Sequence, residues 1–144
     1  MQTIVVGVDG SEGSVRALRF AVEEARLRGA SIRAVGVWYI PTGAYAGGFG
    51  GIPDVEAFEQ GARTRLEQAL AQLGDAAADV EIEQVVDEGQ PADVLVERAR
   101  GAALLVVGSR GLGGFRGLLL GSVGQQCAQH ATCPVAIVPH AEED

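Results

Sequence analysis

The run AALLVVG at residues 102–108 is apolar at every position before its closing glycine. A strand with one wet face alternates apolar and polar residues. A strand without alternation must be covered on both faces, and that is the condition of a parallel sheet held between helices. The other apolar runs fit the same sheet. TIVVGVD (3–9) reads as a central strand, SIRAVGVWY (31–39) as a second, and CPVAIVP (133–139), bracketed by Pro134 and Pro139, as the last. VEIEQVV (80–86) alternates apolar and acidic residues over its first half, which suits an edge strand with one exposed face. Helical spacing fills the gaps. Val15, Leu18, Val22 and Ala25 recur on one face up to Gly29, and Val55, Phe58, Ala62, Leu66, Ala69 and Leu73 form a stripe behind an Asp54 cap, predicting a helix over 55–74. A third helix starts at Pro91 and stops by Gly101, and a fourth, capped by Ser122, carries Val123 and Cys127. The order β-α-β-α-β-α-β-α-β predicts a single-domain α/β fold, a five-stranded parallel sheet with helices on both faces. Ligands of such sheets sit beyond the carboxyl ends of the strands, at a topological switch point. The endings VDGS and VGSRG are the candidates.

Composition excludes several classes. A chain of 144 residues with 47% hydrophobic content can bury one substantial core. Glycine is abundant, 21 residues, but without a period of three, and only 5 prolines accompany it. No apolar run approaches a membrane span, and MQTIVVGVDG enters a strand without a basic leader, so cytoplasmic residence without a signal peptide is expected. The net charge is −8, and all eleven basic residues are Arg. Residues 1–97 hold 7 Arg and 16 acids, whereas residues 98–141 hold four Arg and no acid. Such an acidic chain is a poor nucleic-acid binder, but its acid-free segment suits a small anion. Burial explains why that segment has few charges, though not why all of them are positive.

Cys127 and Cys133 are too few for a disulfide scaffold. With His130 between them they lie three apart and could share a helix face. A zinc site usually needs four ligands, and the fourth candidate, His140, lies beyond an apolar strand. Small buried cysteines are the more frequent case.

GSRGLGGFRGLLLGS (108–122) has six glycines in fifteen residues and joins a strand to a helix. Glycines let a backbone approach an anion closely, and a helix N-terminus adds unpaired N–H donors. The same glycines also permit tight turns and close helix–sheet packing. Two familiar motifs fail. Walker A needs a Lys, and the chain has none; the dinucleotide fingerprint needs a glycine where Arg116 stands, and it fails in GVDGSEGS as well. IPTGAYAGGFGGIP (40–53) is a second glycine-rich stretch, either a lid or an idle insertion.

Gly108-x2-Gly111-x9-Gly121-Ser122 does fit a pattern, G-x2-G-x9-G-[ST], and resembles the nucleotide-binding signature of the universal stress protein family. VVGVDGS resembles that family's opening strand and turn, and the whole of VVGSRGLGGFRGLLLGSVGQQCAQHATCPVAIVP resembles its closing third. Gly124 departs from the pattern, standing where Ser is more usual. The resemblance implies a Rossmann-like sheet of order 3-2-1-4-5 and an adenine-nucleotide site, usually ATP, with AMP or ADP as alternatives. Carried over by position, it places Gly108, Ser109, Arg110 and Gly111 along the ribose and phosphates. Gly121, Ser122 and Val123 would offer amides to the phosphates, with the Ser122 hydroxyl beside them. Val8, Asp9, Gly10 and Ser11 would line the adenine or ribose side, and Val37 would lie beside the base. Asp9 is the one obvious carboxylate for Mg²⁺ or Mn²⁺ on the phosphates. The resemblance also implies a homodimer through Pro134–Pro139 and an unidentified protein partner. Without a Lys, and with His130 and His140 distant from the loop in sequence, a binding module with at most slow hydrolysis is favoured over an ATPase or phosphotransferase.

Overall fold

The computed structural model describes residues 2–40, 54–110 and 121–140. Five strands form one sheet: β1 (Thr3–Gly7), β2 (Ser31–Trp38), β3 (Ile82–Glu88), β4 (Leu104–Gly108) and β5 (Val135–Val138). All pairings are parallel and the spatial order is β3-β2-β1-β4-β5, as the resemblance implied. The connecting helices are α1 (Glu12–Arg28), α2 (Val55–Ala71), α3 (Pro91–Arg98) and α4 (Ser122–His130).

Alternation along the strands sorts the core into two layers. Ile4, Val6, Leu104 and Val106 pack with Val15 and Leu18 of α1 and Leu66 of α2. Val5, Val35, Leu105 and Val107 face the other way, against Leu95 of α3 and Cys127 of α4. Ile4, Val5 and Val6 are wholly buried, so β1, like β4, contributes to both layers. Each such side chain contributes roughly 1.5–3 kcal/mol relative to exposure. This is the double covering that an unalternated apolar run demands.

Local signals end the helices where expected. Ser11 caps α1, its hydroxyl accepting the Ser14 N–H at 3.2 Å, and Gly29 closes the helix at φ 64°. Asp54 caps α2 by accepting from the Ala57 N–H at 3.2 Å. Several strands are a residue or two shorter than expected at their ends, and two boundaries differ for a visible reason. The stripe of α2 ends at Ala71, and a 3₁₀ turn, Gly74–Ala77, takes over while Leu73 stays buried. β3 begins at Ile82 rather than residue 80, because its register is set by β2, from Ile32↔Ile82 to Trp38↔Glu88. It lies at the sheet edge, as its acidic alternation predicted. Among the described residues no helix is long and apolar enough to cross a membrane.

Candidate functional site

The chain winds from β1 through β2 to β3 on one side and then crosses over to β4 on the other side of β1, so the switch point lies between the ends of β1 and β4. Residues 8–11 follow β1 and residues 108–110 follow β4, which brings the two predicted halves of the site together. The segment 41–53, Gly111 and Arg116 lie outside the described residues.

On the β1 side, Val8 is buried and its N–H donates to Val35 O at 2.8 Å, extending the strand pairing by one residue. The Asp9 carboxylate accepts both the Ser11 N–H, at 2.9 Å, and the Ser11 hydroxyl, at 2.5 Å. This Asx-turn aims Ser11 at the start of α1 and commits one Asp9 oxygen to the turn. Gly10 sits at φ 87°, a conformation that favours glycine, and a Cβ there would stand 3.2 Å from the stem of Arg65.

On the β4 side the packing is backbone against backbone. A Cβ on Gly108 would lie 2.9 Å from Gly13 O, one on Gly13 would lie 2.7 Å from Arg110 O, and one on Gly121 would lie 3.1 Å from Ser109 O. Gly13 and Gly108 are therefore required by close packing whatever else they do, and Gly121 sits in a tight space. Ser109 is buried and its groups are engaged. Its N–H donates to Val138 O at 2.8 Å, its carbonyl accepts the Gly121 N–H at 2.5 Å, and its hydroxyl accepts the His140 N–H at 3.2 Å.

Helix α4 corrects one expectation. Gly121, in extended conformation, is the N-cap, and Ser122 is the first helical residue rather than the cap. The Gly121 amide is already given to Ser109. No side chain caps the helix, and among the described residues nothing accepts from the N–H groups of Ser122, Val123 or Gly124. Three donors at the positive end of a nine-residue helix thus face the mouth of the switch point. The Ser122 hydroxyl accepts from Gln126 Nε2 at 3.0 Å and keeps its own proton to donate.

Val37 lines a groove of about 290 Å³ at the end of β2, with Trp38 and Tyr39 beside it and Phe58, Gly61 and Arg65 of α2 opposite. Since the Arg65 stem also touches Gly10, groove and switch point share a wall. Sequence reasoning did not single out Gly13 or Arg65. Gly13 offered only its glycine identity inside GSEGS, and Arg65 reads as an ordinary polar-face residue.

A larger cavity, about 650 Å³, lies elsewhere, between β3 and α3. Its arginines are all paired: Arg33 with Glu83 at 3.1 Å, Arg98 with Asp87 at 2.5 Å, and Arg100 with Glu97 at 2.8 Å. The hydrogen bond to Asp87 raises the Arg98 guanidinium above its ordinary value. Cys127 is core, and burial pushes its thiol up to about 11. Among the described residues no three His, Cys, Asp or Glu side chains gather to hold a metal ion.

The profile of the universal stress protein family matches residues 1–139. The chain belongs to the universal stress protein family. It is 40% identical over 139 residues to a universal stress protein of Mycolicibacterium smegmatis, an alignment covering 94% of this chain and 45% of that relative. The chain thus spans about half the length of the curated relatives it matches. A universal stress protein solved in complex with cAMP superposes with a TM-score of 0.73 at 30% identity, covering 98% of both chains. The universal stress protein from Archaeoglobus fulgidus in complex with dAMP gives a TM-score of 0.59 at 26% identity, covering 96% of this chain and 98% of that one.

Proposed function

We propose that this domain binds an adenine nucleotide at the switch point, ATP foremost, with AMP and ADP also accepted, and serves as a nucleotide-dependent binding module in a cytoplasmic stress response. The observation that carries the reading is the uncapped N-terminus of α4, whose three unaccepted amides open where β1 and β4 diverge. Family relatives in complex with cAMP and dAMP support the ligand class. The phosphates would lie on the Ser122 and Val123 amides, with the Ser122 hydroxyl donating. The ribose would lie along Val8–Ser11, and the base beside Val37. Gly121 and Ser109 would shape this site rather than touch the ligand, since their main-chain groups are engaged with each other. Arg110 and Gly111 would flank the phosphates.

A divalent ion, Mg²⁺ or Mn²⁺, would be held chiefly by the phosphates, with the Asp9 carboxylate as its protein ligand. That thin donor set matches a binding site better than a hydrolytic one. β5 lies at the sheet edge with all four residues half-buried, which suits pairing with a second copy through Pro134–Pro139. A protein partner reading the nucleotide state completes the module.

Calorimetric titration with ATP, ADP and AMP tests the reading directly, and absence of heat from all three would overturn it. Release of ADP at about 1 s⁻¹ or faster in the presence of Mg²⁺ would instead make the domain an enzyme. Sedimentation at micromolar concentration is expected to give a dimer, and a monomer removes the β5 pairing.

A further inference from the structure

The groove at the end of β2 carries an arginine that the phosphate site does not use. Arg65 has no ion-pair partner among the described residues, although the neighbouring Arg63 pairs with Glu59. Its stem lies against Gly10, and its head runs back along α2, where a Cβ on Gly61 would stand 3.2 Å from Nη1. Two glycines therefore clear the space this side chain occupies. Tyr39 is 47% exposed and Phe58 38%, and both line the same groove with Trp38 behind them. Pockets for whole drug-sized ligands run to about 300–1,000 Å³, so a volume of about 290 Å³ suits one ring system and not a complete nucleotide. Aromatic walls take planar rings by stacking.

A guanidinium has donors only, arranged as a fork. Adenine presents N7 as an acceptor next to an amino donor, so the fork finds one partner on that edge. A 6-oxopurine presents O6 and N7 together, and the fork finds two. We propose that Arg65 is the specificity determinant for the purine ring seated in this groove, extending the ligand class to 6-oxopurine nucleotides. The inference rests on the nucleotide reading above, which sets the base beside Val37, and adds which edge of it is read.

Inosine and adenosine monophosphates differ only in the C6 substituent and the N1 proton that goes with it, and Trp38 is the one tryptophan of the chain, so its emission reports the groove. Both ligands are titrated by calorimetry and by Trp38 fluorescence into the wild type, Arg65→Met and Arg65→Lys. Methionine keeps an unbranched stem, and lysine keeps the charge while losing the fork. In the wild type both ligands are expected to change Trp38 emission. The affinity ratio of inosine to adenosine monophosphate is expected to fall on the order of tenfold in both variants. An unchanged ratio overturns the proposal, and so does an equal loss for both ligands in Arg65→Met, which would make Arg65 a phosphate contact. Heat of binding without any change in Trp38 emission places the ring outside the groove and overturns the proposal while the nucleotide reading stands. No heat from either ligand overturns both.

Discussion

Two concave regions of this molecule are built from opposite materials. The cleft between β3 and α3 is the larger, and charged side chains make it: Arg33, Arg98 and Arg100, each with its carboxylate. The switch point between β1 and β4 is made of main chain, with Gly13, Gly108 and Gly121 bringing backbones within side-chain distance of one another. Charges that already satisfy each other have little left for a ligand, whatever the volume around them. Amides without acceptors at a helix end are few and small, yet each gains a hydrogen bond when an anion arrives. Recognition follows the unmet donors, not the size of the hollow.

Breaking the backbone-built region should be costly. Gly108→Val would drive a side chain into the Gly13 carbonyl, 2.9 Å from the first added carbon. A loss of about 3 kcal/mol in urea unfolding is expected, together with loss of nucleotide binding. A stability within 0.5 kcal/mol of the wild type would show that the close packing has slack.

The wall behind α4 has its own pH signature. The Cys127 thiol, raised to about 11 by burial, keeps its proton in the folded chain while an unfolded thiol loses it near 8.5. The folded form then binds more protons, so this contribution is complete below about pH 8.5 and is lost as pH climbs toward 11. Stability should fall on the order of 2 kcal/mol across that window, and Cys127→Val should flatten this part of the profile. Identical profiles for both proteins would remove the assignment.

Ser122→Pro sharpens the comparison by deleting the amide and the hydroxyl that this residue would offer the phosphates while keeping the helix start. Proline is favoured at the first helical position, and the extended Gly121 before it, at φ −75° and ψ 168°, already has the backbone that proline requires. About a tenfold weaker nucleotide affinity is expected in calorimetry, with an unchanged thermal midpoint. Unaltered affinity would mean that this amide faces no ligand.

The smallest effect belongs to the cleft. Arg98→Leu removes half of an ion pair whose members are 39% and 27% exposed. A stability change below about 1 kcal/mol and no change in nucleotide affinity are expected. A loss of binding would show that the cleft participates after all.

The sheet was legible because strands covered on both faces cannot alternate, and because Val15 to Ala25 and Val55 to Leu73 keep a helical period, whereas its strand order came from the family resemblance alone. Edges of elements were less legible where a neighbour decides them, as β2 does for β3. In the site, Asp9, Ser11, Gly108 and Ser122 were legible from short motifs at strand ends. Gly13 and Arg65 were not. Gly13 is needed because Gly108 and Arg110 press on it from a distant part of the chain, and Arg65 matters because it crosses over Gly10. Neither requirement leaves a period or a spacing. The bonds of Ser109 to Val138, Gly121 and His140 likewise left no sign in the sequence.

Those three bonds make Ser109 a rivet through segments that the chain visits at separate times. Widening the mouth by shifting the start of α4 pulls on the Ser109 carbonyl, and the same residue is fastened to the final strand by its amide and to His140 just beyond it by its hydroxyl. Whatever reshapes the mouth is thereby felt at the outer border of the sheet, with no intervening side chain to relay it.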